Sequence, residues 1–205
     1  MKDRFEQIYA NNEWRHGSGE GSFPINNVGY VDMLQRFMRE HRIRTVIDLG
    51  CGDWQFSKDI DWGEASYHGY DLVASVVARN VERFATDSIR FTQYGGDLAE
   101  LPAADLLIAK DVLQHWSNGS IERFLRILPR YRYALITNCV NPTGDTVNRE
   151  TEDGGFRYLD IRLAPFFVRA EEIYQFRQHR GLLKKLLRRP QWLKRSLLIE
   201  NPPAA

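Results

Sequence analysis

Short apolar runs alternate with segments whose apolar residues recur at helical spacing through most of the chain. Five of these runs predict strands, at residues 44–49, 66–71, 88–93, 104–110 and 131–140. Helical spacing predicts helices over residues 28–41, 73–84 and 120–128, the last with Ser120 as its N-cap, and a helical stretch over residues 54–60. Strands without polar alternation suit a sheet covered on both faces. The pattern therefore predicts an α/β fold.

The chain after the fifth predicted strand has a different character. Residues 141–155 are rich in Asn, Pro, Thr, Gly and Asp and predict a long loop. Residues 173–178 and 196–200 are further candidate strands, joined by a basic segment. Long loops in compact domains are usually functional, so we expect this one to lie near a site.

Composition and charge narrow the class of protein. A chain of 205 residues suits one domain, and 28 Lys and Arg against 27 Asp and Glu give a net charge of +1. Such a charge cannot hold a nucleic acid by itself. The apolar runs are far shorter than a membrane helix, and the first residues lack a signal core. Two cysteines are too few for a disulfide framework or a cysteine zinc site. We expect a cytoplasmic protein without a metal site, a transmembrane segment or a nucleic-acid partner.

The most informative motif follows the first predicted strand. Gly50 and Gly52 are spaced for a strand-to-helix corner at which bare backbone can approach a ligand. Asp48 precedes them, where a carboxylate would repel the phosphates of a dinucleotide, and Phe56 stands near the place of the usual third glycine. A tight structural turn is the alternative. The motif favours a ligand that is cationic or neutral at this point.

Further carboxylates follow the next strands. Asp71 ends the second strand, Asp97 follows the third and Asp111 follows the fourth. The carboxyl ends of parallel strands form the edge at which open α/β sheets bind ligands, although each Asp could instead cap a helix. Together with Asp48 they predict an acidic rim, which suits adenosine, an ammonium and a sulfonium better than a phosphate-bearing nucleotide.

The sequence Asp-Leu-Gly-Cys-Gly at residues 48–52 resembles the acid-x-Gly-x-Gly motif of the class I S-adenosylmethionine-dependent methyltransferases. Trp14 with residues 17–22, residues 50–57 and residues 110–115 look like stretches of small bacterial methyltransferase-domain proteins. The resemblance covers nearly the whole chain and implies S-adenosylmethionine as cofactor. It also implies a single Rossmann-like, doubly wound domain, whose seven-stranded, mostly parallel sheet has an antiparallel C-terminal strand and helices on both faces.

The resemblance also implies roles for individual residues at the cofactor. Gly50 and Gly52 would face its methionine part, with Asp48 near the amino group. Asp71, followed by Leu72, would hold the ribose. Asp97 and Leu98 would contact the adenine, while Lys110 and Asp111 would border the methionine end. We expect one domain over residues 1–205 with three parts: an N-terminal helix and glycine-rich lid (1–25), a cofactor-binding core (26–140), and a substrate-side loop with C-terminal strands (141–205).

Two local features extend this prediction. Asp111 and His115 are four residues apart, so on a helical turn they would share a face and could act as a catalytic base and its partner. A purely structural His115 is the alternative. Trp14 and Gly17 lie in a glycine-rich stretch that we expect to fold over the cofactor as a lid, with a flexible tail as the alternative.

Charged and aromatic residues alternate after the fifth predicted strand, a pattern that suits contacts with a polar, ring-shaped acceptor. Arg157, Tyr158 and Arg162 are the predicted acceptor contacts, with surface decoration as the alternative. Four cations of the basic segment at residues 177–195 predict a preference for an anionic acceptor or surface, with a solvated helix face as the alternative: Lys184, Lys185, Arg188 and Arg189.

The leading hypothesis is O- or N-methylation of a small-molecule or sugar-containing acceptor. The competing hypotheses are a non-catalytic cofactor-binding or partner protein and a nicotinamide-dependent oxidoreductase, which Asp48 disfavours.

Overall fold

The computed structural model of this chain describes residues 1–178 and 191–202. The strands are β1 (Thr45–Leu49), β2 (Ser66–Asp71), β3 (Ile89–Gln93), β4 (Ala104–Lys110), β5 (Tyr131–Val140), β6 (Glu171–Arg177) and β7 (Leu193–Glu200). The α-helices are α1 (Lys2–Ala10), α2 (Val28–Glu40), α3 (Ala74–Phe84) and α4 (Asn118–Leu125). Turns of 3₁₀ helix cover Glu20–Ser22, Pro24–Asn26, Ser57–Asp59, Leu98–Glu100, Leu113–His115 and Leu128–Arg130.

The strands form one sheet in the order β3-β2-β1-β4-β5-β7-β6. Strands β1 to β5 pair in parallel, whereas β7 lies antiparallel between β5 and β6. The predicted seven-stranded, mostly parallel sheet with an antiparallel C-terminal strand is confirmed. Because β1, β2 and β4 run the same way, their carboxyl ends meet at one edge of the sheet.

Apolar residues of alternating strand positions face opposite sides of the sheet and build two core clusters. Leu49 of β1 packs in one cluster with Ile121 and Phe124 of α4, while Val46 packs in the other with Leu34 of α2. Helices therefore cover both faces, as predicted. Within the described residues, no helix combines the length and the apolar character needed to cross a bilayer.

Some predicted boundaries were wrong for local reasons. The N-cap of α4 is Ser117 rather than Ser120, because the extended backbone of Ser117 lets its hydroxyl accept from the Ser120 N–H. The helical stretch predicted over 54–60 is reduced to one 3₁₀ turn. Lys194 and Arg195, part of the basic run in the sequence, lie in β7. Lys184, Lys185, Arg188 and Arg189 lie outside the described residues.

Candidate active site

A cavity of about 300 Å³ lies at the carboxyl edge of the sheet. Of the residues selected from the sequence, these line it: Trp14, Asp48, Gly50, Gly52, Asp71, Leu72, Lys110, Asp111 and His115. Within residues 1–178 and 191–202, the lining does not include Gly17, Asp97, Leu98, Arg157, Tyr158 or Arg162. The fold thus brings together most of the predicted site, while the predicted acceptor contacts lie elsewhere.

Residues 48–52, here called the glycine corner, turn the chain out of β1. Gly50 and Gly52 have φ of 72° and 56°, a region that strongly favours glycine. A Cβ on Gly50 would stand 2.5 Å from the Val112 Cγ2, and a Cβ on Gly52 would collide with the Ser18 hydroxyl. Bare backbone therefore borders the cavity at this point, as a closely bound ligand requires.

Asp48 is buried in β1 beside the glycine corner. Its carboxylate accepts a hydrogen bond of 2.7 Å from the Tyr67 hydroxyl. Burial raises the pKa of Asp48 to about 6, although the Tyr67 hydrogen bond and the charge of Lys110 act in the opposite direction. A cationic ligand group beside this carboxylate would favour its charged form.

Asp71 ties the glycine corner to the next helix. Its two oxygens accept from the Gly52 N–H and the Val73 N–H, each at 3.0 Å. Burial raises the pKa of Asp71, and these backbone hydrogen bonds oppose that rise. Each carboxylate oxygen can accept a second hydrogen bond, so Asp71 can still receive a ligand hydroxyl.

Asp97 and Leu98 follow β3 at the margin of this region. The exposed Asp97 carboxylate caps a 3₁₀ turn by accepting from the Ala99 N–H at 2.9 Å. Tyr94, which the sequence analysis did not select, is buried and lines the cavity here instead. The adenine contacts of Asp97 and Leu98 stay predictions.

Residues 13–23, here called the N-terminal segment, close one side of the cavity. The Trp14 ring lies 4.9 Å from the His115 ring between centroids. Ser18 Oγ accepts from the Asp53 N–H at 2.9 Å and shares a hydrogen bond of 2.7 Å with the Tyr9 hydroxyl. Gly17, with φ of 73°, packs so closely on Asp53 that a Cβ there would collide with the carboxylate. The predicted lid region is thus folded against the site.

Lys110, Asp111 and Lys194 form what we call the lysine–aspartate triad. One oxygen of Asp111, Oδ2, accepts from both ammonium groups, at 2.7 Å from Lys110 and closer from Lys194. Burial would raise the pKa of Asp111, but the two cations hold it well below its usual range. Burial lowers the pKa of Lys110 to about 8. Asp111 is therefore an ionised partner of two lysines.

His115 is held differently from the sequence-based expectation. Its Nδ1 lies 2.7 Å from the carbonyl oxygen of Gly155, and its Nε2 lies 3.3 Å from the side-chain nitrogen of Gln114. The Gln114 oxygen accepts from the Cys139 N–H, which fixes the amide orientation. Within the described structure, Asp111 makes no hydrogen bond to His115 as its predicted partner, because Asp111 opens the turn with φ of 60° and faces the lysines.

The three residues predicted to contact the acceptor instead contact other parts of the protein. Arg157 is buried and donates to the carbonyl oxygens of Trp116 and Arg149. Arg162 pairs with Asp160. Tyr158 packs edge-to-face on Phe156, with ring centroids 5.6 Å apart. These geometries tie the loop after β5 to the body of the domain.

Three residues that were not selected from the sequence also line the cavity. Trp192 and Lys194 come from the C-terminal part of the chain, and Gln114 precedes His115. Phe156 stacks between His115 and Trp192, with centroid separations of 5.8 and 4.8 Å. The signal in the sequence for this region is Trp192, an isolated aromatic residue that follows a basic segment.

Comparison with known proteins agrees with this geometry. The sequence model of the O-methyltransferase domain family matches residues 3–151, which is more than half of the chain. No curated protein sequence matches the chain.

Solved structures share the fold at low sequence identity. An S-adenosylmethionine-dependent methyltransferase from Anabaena variabilis superposes with a TM-score of 0.67 at 15% identity, over 98% of this chain and 95% of that one. Magnesium protoporphyrin IX methyltransferase from Synechocystis gives 0.61 at 18% identity, over 98% and 97%. The mitomycin 7-O-methyltransferase MmcR gives 0.57 at 12%, over 85% and 54%.

The fold and the glycine corner define a class I S-adenosylmethionine-dependent methyltransferase. Within that class, the chain belongs to the O-methyltransferase domain family. It is an enzyme, and S-adenosylmethionine is its cofactor. The residues present fit this cofactor: the corner offers bare backbone, and the two buried carboxylates beside it can accept hydrogen bonds from an ammonium and from hydroxyl groups.

Proposed function

We propose that this enzyme methylates a hydroxyl oxygen of a small-molecule acceptor, which can be sugar-containing, and that His115 is the base. The observation that carries the proposal is the fixed tautomer of His115. A carbonyl oxygen can only accept, so Nδ1 must carry the proton that it donates to Gly155. The Gln114 amide nitrogen donates toward Nε2, which keeps Nε2 an unprotonated acceptor. Nε2 has one lone pair, so an acceptor hydroxyl takes the place of the long 3.3 Å contact from Gln114 when it gives its proton to this nitrogen.

The burial of His115 also supports its role as the base. It lowers the pKa of His115, while the Gly155 hydrogen bond opposes that shift. The imidazole is therefore neutral at neutral pH and able to accept a proton. The rings of Trp14 and Phe156 both pack on the His115 ring and restrict its orientation.

The cofactor end has its own set of proposed contacts. The sulfonium supplies an activated methyl group, so the protein has mainly to align the acceptor. Gly50 and Gly52 would hold the methionine part, with Asp48 near its amino group and Lys110 at its border. Asp71 and Leu72 would hold the ribose, and Asp97 with Leu98 the adenine. Trp14 and Gly17 would close over the cofactor.

The proposed division into parts follows from these contacts. Residues 1–25 form the helix and lid, residues 26–140 the cofactor-binding core, and residues 141–205 the acceptor side. A small acceptor is favoured because the N-terminal segment already borders a cavity of about 300 Å³. The aromatic rings beside His115 favour an acceptor with a ring.

Replacement of His115 by Gln tests the base. We expect kcat to fall roughly 10²- to 10⁴-fold, the range of general-base catalysis, while affinity for S-adenosylhomocysteine stays within a factor of two. The assay is transfer of labelled methyl to the best acceptor in a panel of phenols and sugars. His68→Gln is the matched control, because burial also lowers the pKa of His68 but it lies outside the cavity lining.

The pH profile gives an independent readout. Because the pKa of His115 is lowered, its basic form persists below the usual histidine range, and kcat/KM should drop only when the pH falls through that lowered pKa. The drop should vanish in His115→Gln. Full activity in that variant, or an unchanged acid limb, would reject His115 as the base.

A further inference from the structure

The three side chains of the lysine–aspartate triad carry a net positive charge. Lys110 and Lys194 share one oxygen of Asp111, while the other oxygen, Oδ1, is buried without a hydrogen-bond partner among the described residues. Two ammonium groups and one carboxylate leave a net charge of +1. The nearby carboxylate of Asp48 accepts from Tyr67 and interacts with the charge of Lys110; in the proposed function the cofactor ammonium pairs with Asp48, which leaves the +1 of the triad uncompensated. Buried charge of this kind is costly unless a partner compensates it.

The Lys194 ammonium also has an N–H donor that no described residue accepts. An ammonium group has three N–H donors. Within the described residues, Lys194 donates to Asp111 and, at a long 3.5 Å, to the Gly21 carbonyl oxygen. Its side chain is nearly fully buried yet lines the cavity. A ligand anion entering the cavity can therefore take a hydrogen bond that no described residue takes.

Lys194 enters the cavity from the β7 side and the glycine corner from the β1 side, and the Lys194 ammonium meets that of Lys110 at the shared oxygen of Asp111. Lys194 projects from β7, which stands three strands away from β1 in the order β1-β4-β5-β7. At roughly 4.8 Å per strand, the two strands are about 14 Å apart. The glycine corner and Asp71 lie at β1 and β2, whereas Trp192 and Gln178 line the cavity beside Lys194. The charge of Lys194 acts on His115, so the cation and the proposed base share one end of the cavity.

We propose that Lys194, supported by Lys110, binds a carboxylate of the methyl acceptor, so that the acceptor is a hydroxylated ring compound carrying an acid group. The inference rests on the proposed function, because it places the hydroxyl at His115 and the acid at the triad. A carboxylate carries one negative charge and matches the +1 of the triad. A phosphate carries nearly two and would leave the cluster negative.

The first experiment uses the wild-type protein loaded with S-adenosylhomocysteine, with benzoate and benzamide as probes. Ligand-observed NMR titration should show benzoate binding at least about tenfold tighter, the value of one charge-assisted hydrogen bond. Neither probe has a hydroxyl, so the result does not depend on methyl transfer. A failure of His115 as the base would leave it unchanged. Equal binding of the two probes, or no binding, would overturn the proposal.

The second experiment uses variants. In Lys194→Met the preference for benzoate should disappear, in Lys194→Arg it should persist, and the exposed control Lys58→Met should behave as wild type. If Lys194→Met does not fold, Lys194→Gln takes its place and the wild-type comparison stands. A preference that survives in both neutral variants would overturn the assignment to Lys194.

The cofactor also contains a carboxylate. A third experiment distinguishes binding of Lys194 to that carboxylate from binding to the carboxylate of the acceptor. S-adenosylhomocysteine carries that carboxylate, and methylthioadenosine lacks the amino-acid part. If Lys194 serves the acceptor, Lys194→Met should leave the affinity ratio of these two nucleosides within a factor of two. A ratio that falls tenfold or more would assign Lys194 to the cofactor and reject the acceptor site.

Discussion

The glycine corner and the surroundings of His115 border the same cavity but are assembled differently. The corner is one short stretch at the end of β1, and Asp71 fixes it by accepting from the Gly52 N–H, while its other oxygen accepts from the Val73 N–H. Apart from the adjacent Gln114, the surroundings of His115 come from distant parts of the chain: Trp14, Gly155, Phe156 and Lys194. A local motif can therefore reveal the cofactor end, whereas the acceptor end exists only in the folded chain.

Gly50→Ala should have the largest effect on the cofactor end. The left-handed backbone costs about 1–2 kcal/mol for a residue with a Cβ, and the overlap with Val112 adds about 1–3 kcal/mol. Gly63→Ala is the matched control, because Gly63 has φ of 58° and a Cβ there would meet no atom within 4 Å. We expect calorimetry to show cofactor affinity reduced more than tenfold in Gly50→Ala and unchanged in the control. Equal affinities would contradict the close approach of a ligand to this backbone.

Asp71→Ala and Asp97→Ala compare two carboxylates of the predicted rim. Loss of the Asp71 carboxylate leaves the Gly52 and Val73 N–H groups unpaired, at a cost of about 1–3 kcal/mol each. Affinity for S-adenosylhomocysteine should fall roughly tenfold or more. Asp97 lies outside the described cavity lining, so its replacement should weaken binding by less. The reverse order of the two affinities would show that the nucleoside lies nearer Asp97.

Ser18→Ala should have the smallest effect of the three. It removes the hydroxyl that accepts from the Asp53 N–H and bonds to Tyr9, worth about 1 kcal/mol. Amide hydrogen exchange should then be faster in the N-terminal segment, and cofactor affinity should fall about fivefold. Ser22→Ala is the control within the segment, because its hydroxyl makes one long contact of 3.4 Å. Identical exchange in both variants would argue against this attachment of the lid.

The sequence analysis predicted the strands and the glycine corner well because both depend on neighbouring residues. Strands β2, β4 and β5 have the predicted bounds, and β4 and β5 each contain an uninterrupted apolar stretch that marks the strand. The corner needs glycine at positive φ, so the glycine pattern itself is recognisable in the sequence. Asp48 and Asp71 likewise follow from their places at strand ends.

The acceptor end could not be predicted in the same way. Arg157 was predicted from the sequence as an acceptor contact, but folding buries it against the carbonyl oxygens of Trp116 and Arg149. Lys194 looked like part of a solvated basic segment, but the antiparallel pairing of β7 with β5 carries it to Asp111. Asp111 and His115 have the spacing of a pair, yet the backbone turn at Asp111 directs the two side chains to different partners.

The sequence by itself determined the α/β class, the corner after β1 and the acidic residues at the strand ends, because each depends on a few consecutive residues. The tertiary structure decided the tautomer of His115, through Gly155, and the charge environment of Asp111, through Lys194. These contacts join residues 40 and 83 positions apart in the chain. No local pattern encodes them, since they depend on the order of strands in the sheet and on the closing of the loop after β5.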